Sequence, residues 1–312
     1  MPILSIRHVT RYRYRNPVTL GEHRMMFRPR ESYDQRVLSA DLIITPTPAK
    51  LHWVHDVFGN CVGVASFAGP TTELVFDSHV RLEHHPLPAF ADIDGEIEVY
   101  TGEMPFAYSP EDLPDLTQSM ARQHPDPDGM VDAWAQRFVS RSGRTSLQKL
   151  LSEMTQAIYA EFRYTKRLEM GSQTPQQTLF LRSGSCRDYA VLMAEAVRSL
   201  GLAARFVSGY IYSPFADPLS RGRVGGGHTH AWVRVYLPAC GWVEFDPTNG
   251  IVGNADLVRV AITRDPRQAT PLHGTWDGEA EDFLDMEVEV DVRAEDETLG
   301  QLPHPRAVAL TS

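Results

Sequence analysis

The stretch "SGSCRDYAVLMAEAVRSLG", residues 183–201, sets a cysteine at the very start of a helical pattern, directly behind a turn of small residues. Ala190, Met193, Ala194 and Val197 follow helical spacing, and Gly201 is a natural stop. A helix N-terminus carries roughly half a positive elementary charge, which favours thiolate over thiol. Cys186 is therefore either a nucleophile or a small core residue. Its neighbours in the fold decide between the two.

Downstream, "ARFVSGYIY" (204–212) reads as a strand, and a loop ending "GRVGGG" leads into "HTHAWVRVYLP", a turn "ACG", and "WVEFDPTNG". Along the first of these two strands His228, His230, Trp232, Arg234 and Tyr236 share one face. Trp242, Glu244 and Asp246 share one face of the next. A hairpin turning around 237–241 pairs even positions with even positions. His230 and Asp246 then stand directly opposite or one diagonal step apart, within reach of a side-chain hydrogen bond. A one-residue slip would destroy this, but it would also turn every apolar residue to the wrong face. A His held by a carboxylate has a fixed tautomer and leaves its other nitrogen for a thiol. Cys186, His230 and Asp246 thus fit thiol acyl transfer. The thiolate attacks an amide carbonyl, His230 protonates the leaving amine, and the backbone N–H of Cys186 is a candidate oxyanion donor.

Upstream the periodicity is that of strands. Leu4, Ile6, His8, Thr10, Tyr12 and Tyr14 alternate with Ser5, Arg7, Arg11 and Arg13, and similar alternation recurs at 38–44 and 74–82. "DVFGNCV" (56–62) reads as a hairpin turn with Gly59 and Asn60 supplying positive φ. An antiparallel β domain, a sandwich, is expected over residues 1–90. Residues 91–128, rich in Pro, Asp and Gly, are expected to be a linker or wrapping segment with at most one short helix. A core of helices followed by antiparallel strands is expected over 129–294, including a strand at 286–293, and a tail over 295–312. Leu147, Leu150, Leu151, Met154, Ile158 and Phe162 make one apolar helical stripe, opened by a capping box of Thr145 and Gln148.

Composition narrows the function classes. With 30 Lys and Arg against 40 Asp and Glu, the net charge of −10 argues against nucleic-acid binding, which needs a basic footprint. Residues 277–299 hold eleven Asp or Glu and one Arg, which reads as a solvated acidic face or tail. "MPILSIRHVTRYRYRNPV" has no apolar core of the kind a signal peptide needs, and no window approaches a membrane span. Three cysteines (Cys61, Cys186, Cys240) do not suggest a disulfide framework. The expected setting is cytoplasmic, with no membrane partner, and Cys61 and Cys240 are expected to be packing or surface residues.

"GSCRDYAVLMAEAVRSLGLAARFVSGY" and "HTHAWVRVYLPACGWVEFDPTNG" together resemble the catalytic core of the transglutaminase-like superfamily, in its bacterial branch related to cysteine proteases. "HVTRYRYRNPV" and "RPRESYDQRV" resemble the N-terminal region that precedes this core in bacteria, and "RVAITRDPRQATPLHGTWDG" resembles its tail. Thr263 and Pro266 depart from that tail, where Gly and Tyr are usual. The resemblance implies an α+β fold: an N-terminal antiparallel β domain followed by a papain-like, transglutaminase-like cysteine-hydrolase core. It places the nucleophile on Cys186, the base on His230 and the orienting carboxylate on Asp246. It also implies an aromatic or amide oxyanion partner upstream of the cysteine, for which Tyr164 is the nearest candidate.

The expected activity is cleavage of an amide or isopeptide bond in a peptide or protein through a cysteinyl thioester, with no cofactor. Three other readings stay open. A cross-linking transglutaminase would use an amine in place of water. A binding scaffold would carry a vestigial core. A metal-dependent hydrolase would hold its ion with the His228–His230 pair and Cys186. His228 is otherwise expected on the acyl-acceptor side of the cleft, and Trp232 as a cleft-wall residue that is partly core. Asp188, two residues past the cysteine, is expected to hold Arg187, Arg205 or a backbone group.

Overall fold

The computed structural model describes residues 3–86, 96–97, 106, 108–140, 144–167, 171–213, 224, 226–238 and 240–295. Most of the expected linker before residue 106, Gly225, and the tail beyond Glu295 lie outside the described residues.

The N-terminal alternation builds β1 (Ile3–Met25), β2 (Gln35–Thr45), β3 (Lys50–His55), β4 (Cys61–Ser66) and β5 (Pro70–His84). They are hydrogen-bonded in the order β2-β5-β1-β4-β3. On β1, Leu4, Ile6, His8 and Thr10 are buried while Arg7 and Arg13 are exposed. The pairing of β1 with β5 shifts between Arg13 and Val18, across Pro17, which has no N–H to give to the ladder.

Beyond these strands lie β6 (Glu96–Ile97), α1 (Leu113–Met120), α2 (Met130–Gln136), β7 (Thr145–Ser146) and α3 (Leu147–Glu161). The chain continues through β8 (Arg163–Tyr164), α4 (Pro175–Leu181), β9 (Ser183–Gly184) and α5 (Cys186–Ser199). A second sheet of β10 (Ala204–Ile211), β11 (His230–Leu237), β12 (Gly241–Asp246), β13 (Ile251–Val252) and β14 (Leu257–Thr263) is ordered β13-β12-β11-β10-β14. Two last strands, β15 (Leu272–Asp277) and β16 (Phe283–Glu295), both pair with β1. The fold is α+β.

Three details differ from the sequence reading. The strand at 286–293 was expected with the second sheet, but it lies in β16 on the open edge of β1. Cross-strand charge favours this pairing, because Arg7, Arg11 and Arg13 stand opposite Asp291, Glu287 and Asp285. Part of the acidic run is thus the complement of a basic strand. The N-terminal strands are also not a sandwich in themselves. They form one seven-stranded sheet with β15 and β16, and part of its apolar face is buried against the second sheet. Leu4, Ile6, Val80, Leu82 and Val290 pack with Tyr210, Val258 and Val260. Finally, the cap of α3 is Ser146, which accepts from the Lys149 N–H at 3.3 Å, one residue past the expected Thr145–Gln148 box.

The turn at 56–62 has positive φ at Gly59, but not at Asn60. The Asn60 side chain instead bonds the backbone of Ile262 in both directions, at 2.9 and 3.0 Å, and so ties the first sheet to β14. A buried cation does the same nearby: Arg259 reaches both oxygens of Asp34 and also Glu244.

The main core lies between the helices and the second sheet. Leu147, Leu150, Leu151, Met154 and Ile158 of α3 are fully buried against Leu192, Met193, Ala196 and Val197 of α5, and Val233, Val235 and Phe245 close the cluster from the sheet. Almost every residue of α5 is buried, so its N-terminus is held at a fixed place beside β11. Among the described residues no helix is long and apolar enough to cross a membrane.

Candidate active site

Cys186 is the first residue of α5, and His230 is the first residue of β11. The entry to α5 is built by Asp188. Its Oδ2 accepts from the N–H and the hydroxyl of Ser185 at 2.8 and 2.9 Å, closing the helix start. Its Oδ1 accepts from Arg167 at 2.8 Å and from the Gln173 N–H at 2.7 Å. The expected backbone partners are present, but the arginine is Arg167. Neither Arg187 nor Arg205 fills that place; Arg205 lies over the Trp242 ring, 4.3 Å from its centroid.

The hairpin register places the other two residues. Val233 pairs with Phe245, so Trp232 stands opposite Asp246 and His230 is one diagonal step away. His230 Nε2 donates to Asp246 Oδ2 at 2.8 Å, with both side chains fully buried. Among the described residues Nδ1 has no hydrogen-bond partner within the usual limits, and it is the nitrogen left for Cys186, which acts on this ring. Burial by itself would lower the His230 pKa, but the Asp246 charge, its hydrogen bond and the contact with Cys186 outweigh burial and push it up to about 10. Burial would likewise raise the Asp246 carboxyl. The His230 charge and hydrogen bonds from His230, Asn249 and the Thr248 N–H hold it below the usual carboxylate range instead.

Gly209, which pairs with His230 across the sheet, leaves room for β14 and for the Trp232 ring that stacks on the imidazole. A Cβ there would lie 2.0 Å from the Val258 carbonyl oxygen and 2.8 Å from the Trp232 ring. The glycine of "VSGY" is therefore a close-approach residue.

The other expected site residues separate. Tyr164 is half-buried and packs against the cluster that contains Cys186. Burial, followed by the charge of Cys186, pushes its hydroxyl up to about 12, so it stays a donor. His228 lies on the approach to β11, and its Nε2 accepts from Lys166 Nζ at 2.8 Å. Trp232 does not line a cleft. It is fully buried, its ring stacked on His230 with centroids 5.9 Å apart and packed among Val207, Ile211, Leu257 and Ile262. Alternation puts it on the His230 face, where apolar side chains of the neighbouring strands β10 and β14 close around it. Among the described residues no three His, Cys, Asp or Glu side chains gather as a metal site.

Asn249 is a residue the sequence reading missed. Its Nδ2 donates to Asp246 Oδ2 at 2.8 Å and to the Val224 carbonyl at 3.1 Å, while its Oδ1 accepts from the Val224 N–H at 2.8 Å. Thr248 contributes its N–H to Asp246 Oδ1 at 2.9 Å. The signal was available in "DPTNG": an amide three residues past a carboxylate, in a tight turn, folds back on it.

Comparison with known proteins agrees with this architecture. Residues 4–83 match the family described as bacterial transglutaminase-like N-terminal region, and residues 132–247 match the transglutaminase-like superfamily. The uncharacterized protein Rv2569c of Mycobacterium tuberculosis is 28% identical over 295 residues, covering 92% of this chain and 91% of its own. A protein-glutamine gamma-glutamyltransferase of Pseudomonas aeruginosa is 30% identical over 135 residues, which is 43% of this chain and 17% of that one. Among solved structures, a candidate cysteine protease from Cytophaga hutchinsonii superposes with a TM-score of 0.66 at 17% identity, covering 97% of this chain and 94% of that chain. The N-terminal region and the transglutaminase-like core are thus matched in order, over residues 4–83 and 132–247, and one solved fold spans both.

Proposed function

We propose that the protein is a thiol-dependent acyl-transfer enzyme that cleaves an amide or isopeptide bond in a peptide or protein through a cysteinyl thioester. The reading rests on one observation above all: a cysteine at the mouth of a buried helix, beside an imidazole whose far nitrogen is bonded to a buried carboxylate.

The chemistry runs through Nδ1 of His230. With its pKa raised to about 10 by Asp246 and Cys186, the ring is an imidazolium at neutral pH, so Nδ1 already carries a proton while the Cys186 sulfur attacks the carbonyl carbon as a thiolate. The Cys186 N–H, at the positive end of α5, and the Tyr164 hydroxyl are the donors available to the tetrahedral oxyanion. Collapse breaks the C–N bond, and the imidazolium gives its proton to the departing amine. Water, deprotonated by the same Nδ1, then attacks the thioester and releases the acid and the thiol.

A second outcome shares every step up to the thioester. An amine in place of water gives transamidation, a reading favoured by the match to the Pseudomonas glutamyltransferase. A vestigial scaffold is the weaker reading. A buried, charge-bearing pair is costly to keep, and hydrophobic residues of similar volume often replace such a pair without loss of stability.

The test is a screen of short Gln-containing and isopeptide-containing peptides, with and without a free amine, followed by mass spectrometry. Wild-type protein is expected to release ammonia or amine and to form a hydroxylamine-trappable acyl adduct on Cys186. Cys186→Ala and His230→Ala are expected to remove both while circular dichroism stays unchanged. Asp246→Asn should keep a small residue of activity, roughly 10²–10⁴-fold down, because it spoils the tautomer and not the nucleophile. Turnover that survives Cys186→Ala would sink the proposal.

A further inference from the structure

We infer that Lys166 and His228 form a carboxylate-binding subsite beside Cys186, which selects peptides carrying an acidic group close to the amide that is attacked. The inference deepens the acyl-transfer reading and rests on it for the reaction, but its own basis is separate.

The two residues sit on the two stretches that deliver the reacting groups. Tyr164 pairs with Gly184, and the Thr165 N–H donates to the Gly184 carbonyl at 2.9 Å, so Lys166 leaves the strand pair alongside the residues that run into Cys186. His228 precedes His230 by two positions. The Lys166 Nζ–His228 Nε2 contact of 2.8 Å therefore joins the wall ending on the thiol to the wall ending on the imidazole. A peptide placed with its carbonyl over Cys186 has to run past this contact.

Lys166 is exposed and its ammonium meets an imidazole; among the described residues it has no ion pair with a carboxylate. Burial and the neighbouring ammonium both lower the His228 pKa, so the ring is a neutral acceptor. It is also anchored from behind. His228 bonds the Val288 backbone, and the Val290 N–H donates to the Gly227 carbonyl at 3.1 Å, both from β16. A neutral imidazole is a weak partner for an ammonium. A carboxylate makes a charge-assisted bond about twice as strong, so an incoming acid displaces the ring without having to separate an existing ion pair.

The surrounding charge has the same sign. Arg187, at the second position of α5, acts on Tyr164 as a nearby positive charge. Asp188, the acid next to Arg187 in sequence, is already engaged by Arg167, Gln173 and Ser185. Lys166 and Arg187 thus bring positive charge to this side of the site, and a cationic wall concentrates anionic substrates.

The experiment uses Cys186→Ala protein, so that binding is read without turnover. Fluorescent Gln-centred peptides carry one Glu moved through each flanking position, every one paired with its Gln counterpart. Free and amidated C-termini form separate arms, to distinguish a side-chain acid from a terminal one. Anisotropy should show at least one acidic peptide binding about tenfold more tightly than its neutral pair, the size of one charged hydrogen bond. Adding Lys166→Met should erase that ratio and leave the neutral peptide within about twofold, Lys166→Arg should keep most of it, and raised salt should reduce it. Equal binding of acidic and neutral peptides at every position, no binding by any peptide, or a ratio unchanged in Lys166→Met would each overturn the subsite. The same peptides given to wild-type protein separate the two readings. A carboxylate preference without Cys186-dependent product leaves the subsite standing and removes the thioester chemistry, and product without preference does the reverse.

Discussion

One amide links the carboxylate of Asp246 to a distant backbone: Asn249 Nδ2 donates to Asp246 Oδ2 at 2.8 Å while the same side chain brackets Val224, donating to its carbonyl at 3.1 Å and accepting from its N–H at 2.8 Å. The oxygen it touches is the one that accepts from His230. Asn249 therefore orients the carboxylate that orients the imidazole, and acts as a positioning residue. Asn249→Ala is expected to lower kcat by roughly 10- to 100-fold with little change in KM, a range typical of lost supporting contacts around a site. Asn249→Asp should be worse, because it sets a second carboxylate beside Asp246. A pH–rate profile that shifts in Asn249→Asp separates positioning from simple destabilisation, which would lower the whole curve without moving it.

Thiol chemistry gives a measurement that needs no substrate. Burial raises the pKa of Cys61, and burial also raises that of Cys240. Cys186, although less exposed, has an imidazole in contact to take its proton. Iodoacetamide at neutral pH should therefore label Cys186 ahead of the other two, by peptide mass spectrometry, and His230→Ala should abolish that lead. Equal labelling of all three would count heavily against the proposed nucleophile.

Acid should loosen the join between the sheets. His8 is buried there, with Nδ1 2.9 Å from the Tyr210 hydroxyl and Nε2 3.1 Å from the Thr10 hydroxyl, and burial lowers its pKa to about 4. A folded pKa below the unfolded value means that the unfolded chain binds the proton first. Its stabilising contribution is complete above the unfolded pKa of about 6.5 and is lost as pH falls towards 4. A shift of that size is worth roughly 3 kcal/mol. Burial lowers His23 and His84 in the same direction. Urea midpoints should fall between pH 7 and pH 4.5, and the fall should be smaller in His8→Gln. An identical slope in the variant would assign the effect elsewhere.

The Arg259 network predicts a different kind of loss. Its guanidinium holds Asp34 from the first sheet's loop and Glu244 of β12, all three buried. Arg259→Met would leave Asp34 without its cation while Glu244 keeps Arg234 at 3.0 Å, and removing one partner of a buried ion pair costs about 3–5 kcal/mol. Thermal and urea unfolding should register it. The double variant Arg259→Met with Asp34→Asn should recover part of the loss, and no recovery would mean that Asp34 does not depend on Arg259.

Much of the site was written in short-range periodicity. Period-two alternation along 228–236 and 242–246 puts His230 and Asp246 on one face, directly opposite or one diagonal step apart, and the folded register takes the diagonal. Helical spacing after Ser185 puts Cys186 at a helix mouth. These features depend on neighbours a few residues apart, which a single sequence specifies. Asn249 and the Arg167 partner of Asp188 were harder to see, because a polar side chain in a loop has many acceptors within reach and only the folded backbone selects among them.

The sequence by itself determined where the N-terminal strands, the helix behind Cys186 and the 230–246 hairpin lie, and which thiol, imidazole and carboxylate could cooperate. Tertiary structure alone decided that β16 closes on β1, that Trp232 is fully buried among side chains of β10 and β14, and that Lys166 meets His228. Alternation says that an edge exists and a face is apolar. It does not say which distant segment satisfies that edge or covers that face, because the choice is a competition among all segments of the chain, settled by burial and charge only once the whole chain is assembled.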